Sequence, residues 1–467
     1  MRIALLTMAL VLLLAAPAAA APNQVMTFEA PDELFDTTRR DATLDEIKAF
    51  GVTQVRQLVY WQSFAPRPKS KRKPNFDATD GSAYGTAGWS ALDGLMTAAS
   101  LRGIKVILTP TGPVPRWATG NKKDNLNKPS AKEFGRFVTA LARRYGAAVD
   151  TWSVWNEPNQ PQFLMPQYRN GKPYSPQLYR GLYRAAYNAI RSVAENKRDT
   201  ILIGETSPRG NENIVHPLKF LRGIACLKNN YKKARKCSRL PAGGYAHHAY
   251  TTRIGPRFKP DEQPDDKDDV TIGVLDRLVG ALDKAGRAGG LPRGLKIYLT
   301  EFGIQSEPDT ISGVSFARQP AYYAVAEHMA YVNPRVALFS QYLMRDDAPR
   351  EEGYRFRGFE SGLRRNNGAK KPAYRAFPNP LAAERVGSSD VLWGRIRPQP
   401  GVTRITIERR RPGKRNWTRL KVLDTTASGV YGLSTAHREG QDYRVRWTST
   451  AGKAYTGPAI RAYKLGS

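Results

Sequence analysis

The chain has 467 residues, with 73 Lys and Arg against 41 Asp and Glu for a formal net charge of +32, and 41 % hydrophobic residues. That apolar content excludes a disordered or fibrous protein, and the length suits one large domain and one small one. With two cysteines and five scattered histidines, none at ligand spacing, neither a disulfide-dense scaffold nor a metal centre is expected, and no cofactor is called for.

In chain order, residues 1–21 place Arg2 ahead of a short apolar run that fades into alanines, the layout of a cleaved secretory signal. A membrane anchor is the weaker reading because the apolar core is short. The protein is therefore expected to be secreted, extracellular or held at the cell envelope, without stable membrane insertion. From residue 22 to about 380, strand-like runs fall at 24–30, 53–61, 104–110, 150–157, 200–206, 243–250, 295–301 and 336–344. Helical periodicity lies between them, most clearly over 130–146, 175–195, 273–286 and 321–332. Eight strands alternating with helices predict an α/β fold, a (β/α)8 TIM barrel with enlarged loops. The helical signal then stops. Residues 381–467 read as short alternating strands split by Gly, Pro and Ser, which predicts a small C-terminal antiparallel β-sandwich, with 377–390 as the junction.

Cys226 and Cys237 form a lone close pair in an exported chain, so a disulfide closing a local loop is expected. Basic clusters at 67–73, 232–236, 364–371 and 409–415 lie apart and match no nucleic-acid-binding motif. They read as solvated loops, with attraction for an anionic glycan as the alternative. No nucleic acid is expected as a partner.

In a parallel barrel the reactive groups sit at the C-terminal strand ends. The fourth strand ends in Trp155-Asn156-Glu157-Pro158, the seventh in Thr300-Glu301-Phe302-Gly303. A buried carboxylate is costly unless it is paired or used. Two carboxyls facing each other across one barrel mouth suit glycosidic cleavage, which needs one as an acid and one as an anion. No G-x-S-x-G elbow offers a serine nucleophile, and no glycine-rich phosphate loop follows a strand.

The barrel region resembles the clan of retaining (β/α)8 glycoside hydrolases that includes cellulase-like family 5 and family 39. VWNEPN (154–159) and YLTEFG (298–303) carry the likeness, the first in the style of family 39. The resemblance implies a secreted glycosidase acting on a carbohydrate, with Glu157 as acid/base, Glu301 as nucleophile and Asn156 as donor to the sugar 2-hydroxyl. It further implies substrate contacts from Arg56, whose charge would also keep Glu301 ionised, from His248 and Tyr250, and from Trp117 stacking on a sugar face. The clan carries a tryptophan at the end of strand eight; here 338–347 offers Phe339, Gln341 and Tyr342, and Tyr342 is the expected substitute. The carboxyl groups are expected at the retaining separation of about 5–5.5 Å. The alternative is a glycan-binding barrel without catalysis.

Overall fold

The computed structural model describes residues 21–234, 237–348, 358–398 and 401–462. The expected secretory signal lies almost wholly outside them. Eight parallel strands close a barrel: β1 (Val25–Glu29), β2 (Gln54–Tyr60), β3 (Lys105–Thr111), β4 (Thr151–Ser153), β5 (Thr200–Thr206), β6 (Gly244–His248), β7 (Ile297–Glu301) and β8 (Val336–Tyr342). Each pairs with its neighbours in chain order, and β1 closes on β8 from Val25 opposite Leu338 to Glu29 opposite Tyr342.

Principal helices α1 to α8 follow the strands, one after each: Arg40–Ala49, Thr86–Leu101, Ala131–Tyr145, Ser175–Ser192, Pro217–Ile224, Asp276–Arg287, Arg318–Tyr331 and Pro372–Ala376. Local sequence explains their ends. Ser130 caps α3 by accepting from the Glu133 amide, and Arg143 and Arg144 sit in its last turn, where the helix dipole favours cations. Phe134, Phe137, Val138, Leu141 and Tyr145 form the stripe it buries. Proline in the first turn starts α4, α5 and α8 without losing a needed hydrogen bond.

Strand β4 is shorter than the expected 150–157, for a reason that matters to the site. Successive strand residues point to opposite faces, so Asn156 and Glu157 could not both face the mouth from an extended chain. The backbone leaves the strand after Ser153, and Trp155 and Glu157 take left-handed φ values of 70° and 38°.

After the barrel come two antiparallel sheets. Strands β9 (Leu381–Val386), β10 (Ser389–Arg395) and β13 (Val430–Ala436) form one. The other holds β11 (Arg404–Arg410), β12 (Thr418–Asp424), β14 (Asp442–Thr448), β15 (Ala454–Thr456) and β16 (Ile460–Arg461). The expected sandwich is present, and β9 occupies much of the stretch expected to be a junction. It packs on α7: Ala324, Val325 and Tyr331 share a small apolar core with Ala382, Trp393 and Val430. His328 stacks on Trp393 at 4.7 Å, and buried Glu327 binds Arg397 at 2.6 Å.

Cys226 and Cys237 are bonded, as expected, closing a span of 11 residues between α5 and β6. That loop lies at the N-terminal ends of the strands, opposite the face where a barrel does its chemistry. Replacing both cysteines by serine should lower stability by about 2–3 kcal/mol in chemical denaturation, a small loop giving a modest entropic gain. Chemistry at the opposite, C-terminal mouth of the barrel should be unchanged in the folded variant.

Candidate active site

At the C-terminal end of the barrel a cleft of about 470 Å³ is lined by Asn156, Glu157, Tyr250, Glu301, Tyr342 and Phe359, with Gln160, Gln162, Phe163 and Gln305 among its other walls. Glu157 and Glu301 face each other across it: a carboxylate oxygen of each and a ring nitrogen of His248 all lie within 4.8 Å of one another. Two carboxylates and an imidazole this close could also hold a cation, but a second charged layer beneath them already supplies positive charge.

That layer centres on Arg56 of β2, which is fully buried. Its Nη1 donates to both oxygens of Glu29 at 3.0 Å and to Oε2 of Glu301 at 3.3 Å. Its Nη2 donates to Oδ1 of Asn156 at 2.7 Å and to Oε2 of Glu205 at 3.0 Å, and its Nε to Thr109 Oγ1 at 3.2 Å. Glu205, at the end of β5, also accepts from Thr300 Oγ1 at 2.9 Å and from the Ser153 hydroxyl. His248 bridges the two layers, with Nδ1 2.9 Å from Glu157 Oε1 and Nε2 2.6 Å from Glu205 Oε2. Tyr250 donates its hydroxyl to Glu301 Oε1 at 2.8 Å.

Burial drives most of the electrostatics. It pushes Glu29 up to about 8 despite Arg56, and pushes Glu157 upward despite its His248 partner. In Glu205 the same desolvation is overcome, chiefly by the Arg56 charge and the His248 hydrogen bond, and the carboxyl is held at about 2. His248 should lose its proton on burial, but Glu301, Glu157 and Glu205 outweigh that and raise it to about 10. Its neighbour His247 faces the other way, to Thr206 Oγ1 at 2.9 Å and the Val270 carbonyl at 2.8 Å, and burial lowers it to about 4. Adjacent histidines on one strand are thus shifted in opposite directions.

Several expected contacts are corrected. Trp117 lies in the core, edge-on to Trp61 and Phe76 with Nε1 donating to the Pro66 carbonyl; a ring 6 % exposed offers a sugar no face. Arg56 and His248 are fully buried with their nitrogens bonded to carboxylates and other polar groups, and neither lines the cleft. Trp155 turns its ring to Phe134 at 5.0 Å, and the side chain that meets Glu157 is the His248 imidazole. Asn156, Tyr250 and Tyr342 do line the cleft. With Oδ1 of Asn156 held by Arg56, its amide nitrogen is left to donate to a ligand. Glu205 and Glu29 escaped sequence reasoning, although each is a glutamate ending an apolar run, the feature that singled out Glu157.

With this geometry in view, similarity becomes informative. The sequence profile of Cellulase (glycosyl hydrolase family 5) matches residues 18–312, from before β1 to beyond β7. The chain belongs to glycosyl hydrolase family 5, and it is a glycosidase. Comparison with curated proteins gives no match. Among solved structures, a family 39 glycoside hydrolase from the gut symbiont Bacteroides cellulosilyticus WH2 is similar with a TM-score of 0.52 at 15 % identity, over 89 % of this chain and 81 % of that one. GH5_18 from Streptomyces cattleya, in complex with GlcNAc, gives 0.52 at 15 % identity over 77 % and 79 %. At such identities these two show a shared fold. Among the described residues no helix is long and apolar enough to cross a membrane.

Arg56→Ala should be strongly destabilising, by about 3–5 kcal/mol in urea unfolding, because it strands Glu205 as an uncompensated buried carboxylate. The loss should shrink at acid pH. Glu205, whose pKa is depressed to about 2 in the folded protein, contributes stability above its unfolded value of 4.5 and loses it as pH falls toward 2.

Proposed function

We propose that this family 5 enzyme is an exported retaining glycoside hydrolase acting on a poly- or oligosaccharide by double displacement. The observation that carries the reading is the pair of carboxylates with oxygens within 4.8 Å across one cleft, a spacing that suits direct attack and leaves no room for the water an inverting enzyme places beside its base. Glu301, fixed by Tyr250 and Arg56, attacks the anomeric carbon, while Glu157 protonates the leaving oxygen. Glu157 then takes a proton from the water that releases the sugar. Its upward shift, caused mainly by burial, suits the acid role near neutral pH.

The described cleft lining contains no Lys or Arg. This supports an uncharged sugar at the point of cleavage and leaves the basic clusters as solvated loops. Export is supported by the N-terminal signal pattern and agrees with the disulfide.

Glu301→Gln should abolish turnover of every glycoside. Glu157→Ala should slow substrates with poor leaving groups by about 10²–10⁴-fold and spare activated aryl glycosides, which need little protonation. NMR of the first-formed sugar should show the substrate's anomeric configuration; an inverted product would sink the double displacement. Activity should fall as pH rises through the elevated Glu157 value, so the basic limb for poor leaving groups should stand above the ordinary carboxyl value of 4.5.

A further inference from the structure

Glu205 touches neither the cleft nor the bond to be broken, yet its side chain is more heavily bonded than either facing glutamate. It is fully buried and accepts from Arg56, Thr300, Ser153 and His248. Its aim is built into the backbone. The β5–β6 register slips between Gly204, opposite Ala246, and Thr206, opposite His247, and Glu205 takes a left-handed φ of 50°. Gly204 permits the slip: its φ is 113°, and a Cβ there would meet the Ala246 carbonyl at 2.7 Å. A non-glycine residue in the left-handed region persists only where its surroundings compel it, and such residues gather at functional sites.

An ionised carboxylate accepts hydrogen bonds and cannot donate them. Held by Arg56 and two hydroxyls, Glu205 therefore requires a proton on Nε2 of His248, 2.6 Å away. Only Nδ1 remains variable, and it lies 2.9 Å from Glu157 Oε1. The Glu157–Nδ1 pair can exist as protonated Glu157 against bare Nδ1, or as the carboxylate against Nδ1–H.

We propose that Glu205 is a positioning residue for hydrolysis: by accepting from Nε2 it fixes the tautomer of His248 and so sets how tightly the acid/base proton is held between Nδ1 and Glu157. The inference rests on the acid/base role of Glu157 proposed above. In the first half-reaction the C–O bond breaks with its electron pair going to the leaving oxygen, which takes the Glu157 proton, and a Glu301 oxygen bonds to the anomeric carbon. That step removes the proton the pair shared, leaving the Glu157 carboxylate beside a bare Nδ1 and ready to accept another. In the second half a water loses its proton to Glu157 as its oxygen displaces Glu301.

The charged groups facing His248 are Arg56 from β2, Glu157 beyond β4, Glu205 from β5 and, 3.6 Å from Nδ1, Glu301 from β7; Glu29 from β1 lies beyond them, and adjacent His247 is neutral. Removing an anion from this buried set weakens proton binding by the Glu157–His248 pair. Glu205→Gln should therefore move the basic limb of kcat/KM for a poor-leaving-group glycoside to lower pH by about one unit or more. Glu205→Asp, which keeps the charge, should return it toward wild type. A purely structural role would lower kcat and leave the limb in place, so an unmoved limb in folded Glu205→Gln overturns the proposal. In the wild-type enzyme, ¹⁵N NMR at neutral pH should find Nε2 of His248 protonated; a bare Nε2 overturns the proposal without any variant. Absence of leaving-group dependence in Glu157→Ala would instead overturn the acid/base role, leaving the NMR result to judge the Glu205–His248 bond on its own.

Discussion

The guanidinium of Arg56 is the constraint on which the barrel mouth depends. One planar fork, withdrawn from water, joins Glu29 of β1, Asn156 beyond β4, Glu205 of β5 and Glu301 of β7. Lysine could supply the charge but not several donors in a fixed plane. An ion this deeply buried is affordable only when nearly all its donors are satisfied, as they are here. Each of the four partners is then held by a common point, which fixes the ends of strands that are far apart in the chain.

Above this anchor, two devices bring side chains inward that a regular strand would send outward. Beyond β4 the left-handed Trp155 and Glu157 turn Asn156 and Glu157 to the same side; in β5 the register slip at Gly204 turns Glu205 toward Arg56. Both cost backbone strain, and the hydrogen bonds to Arg56 and His248 offset it. The outcome is a two-layer arrangement: Glu157 and Glu301 at the cleft surface, and Arg56, Glu205 and Glu29 beneath, with His248 between. In a protein with a large positive charge, the described cleft thus presents two carboxylates among amides, hydroxyls and aromatic rings.

The C-terminal sheets take no part in that arrangement among the described residues. They cover α7, whose exposed face would otherwise leave Ala324, Val325 and Tyr331 in water, and the buried Glu327–Arg397 pair fixes the contact. The barrel takes one side of α7 and the sandwich the other, so its buried residues run nearly all round the helix.

Much was legible in the sequence because it depends on local periodicity. The eight barrel strands, the change to short alternating strands near residue 381 and the local disulfide follow from patterns within a few residues, and the Asn-Glu and Thr-Glu strand ends of Glu157 and Glu301 stand in recognisable surroundings. Helices α1, α2 and α5 were not among the clear periodic stretches, and β9 was hidden in an expected junction. What tertiary structure alone decided is which polar groups share a buried space. Nothing adjacent to Glu205 or Glu29 announces a partner, because Arg56 lies 149 residues from the first and 27 from the second. Trp117 shows the converse: the family resemblance implied a sugar platform there, but Trp61 and Phe76 enclose it. Periodicity along a chain determines which residues face inward; only closure of the barrel determines whom they meet, and a buried charge takes its meaning from that meeting.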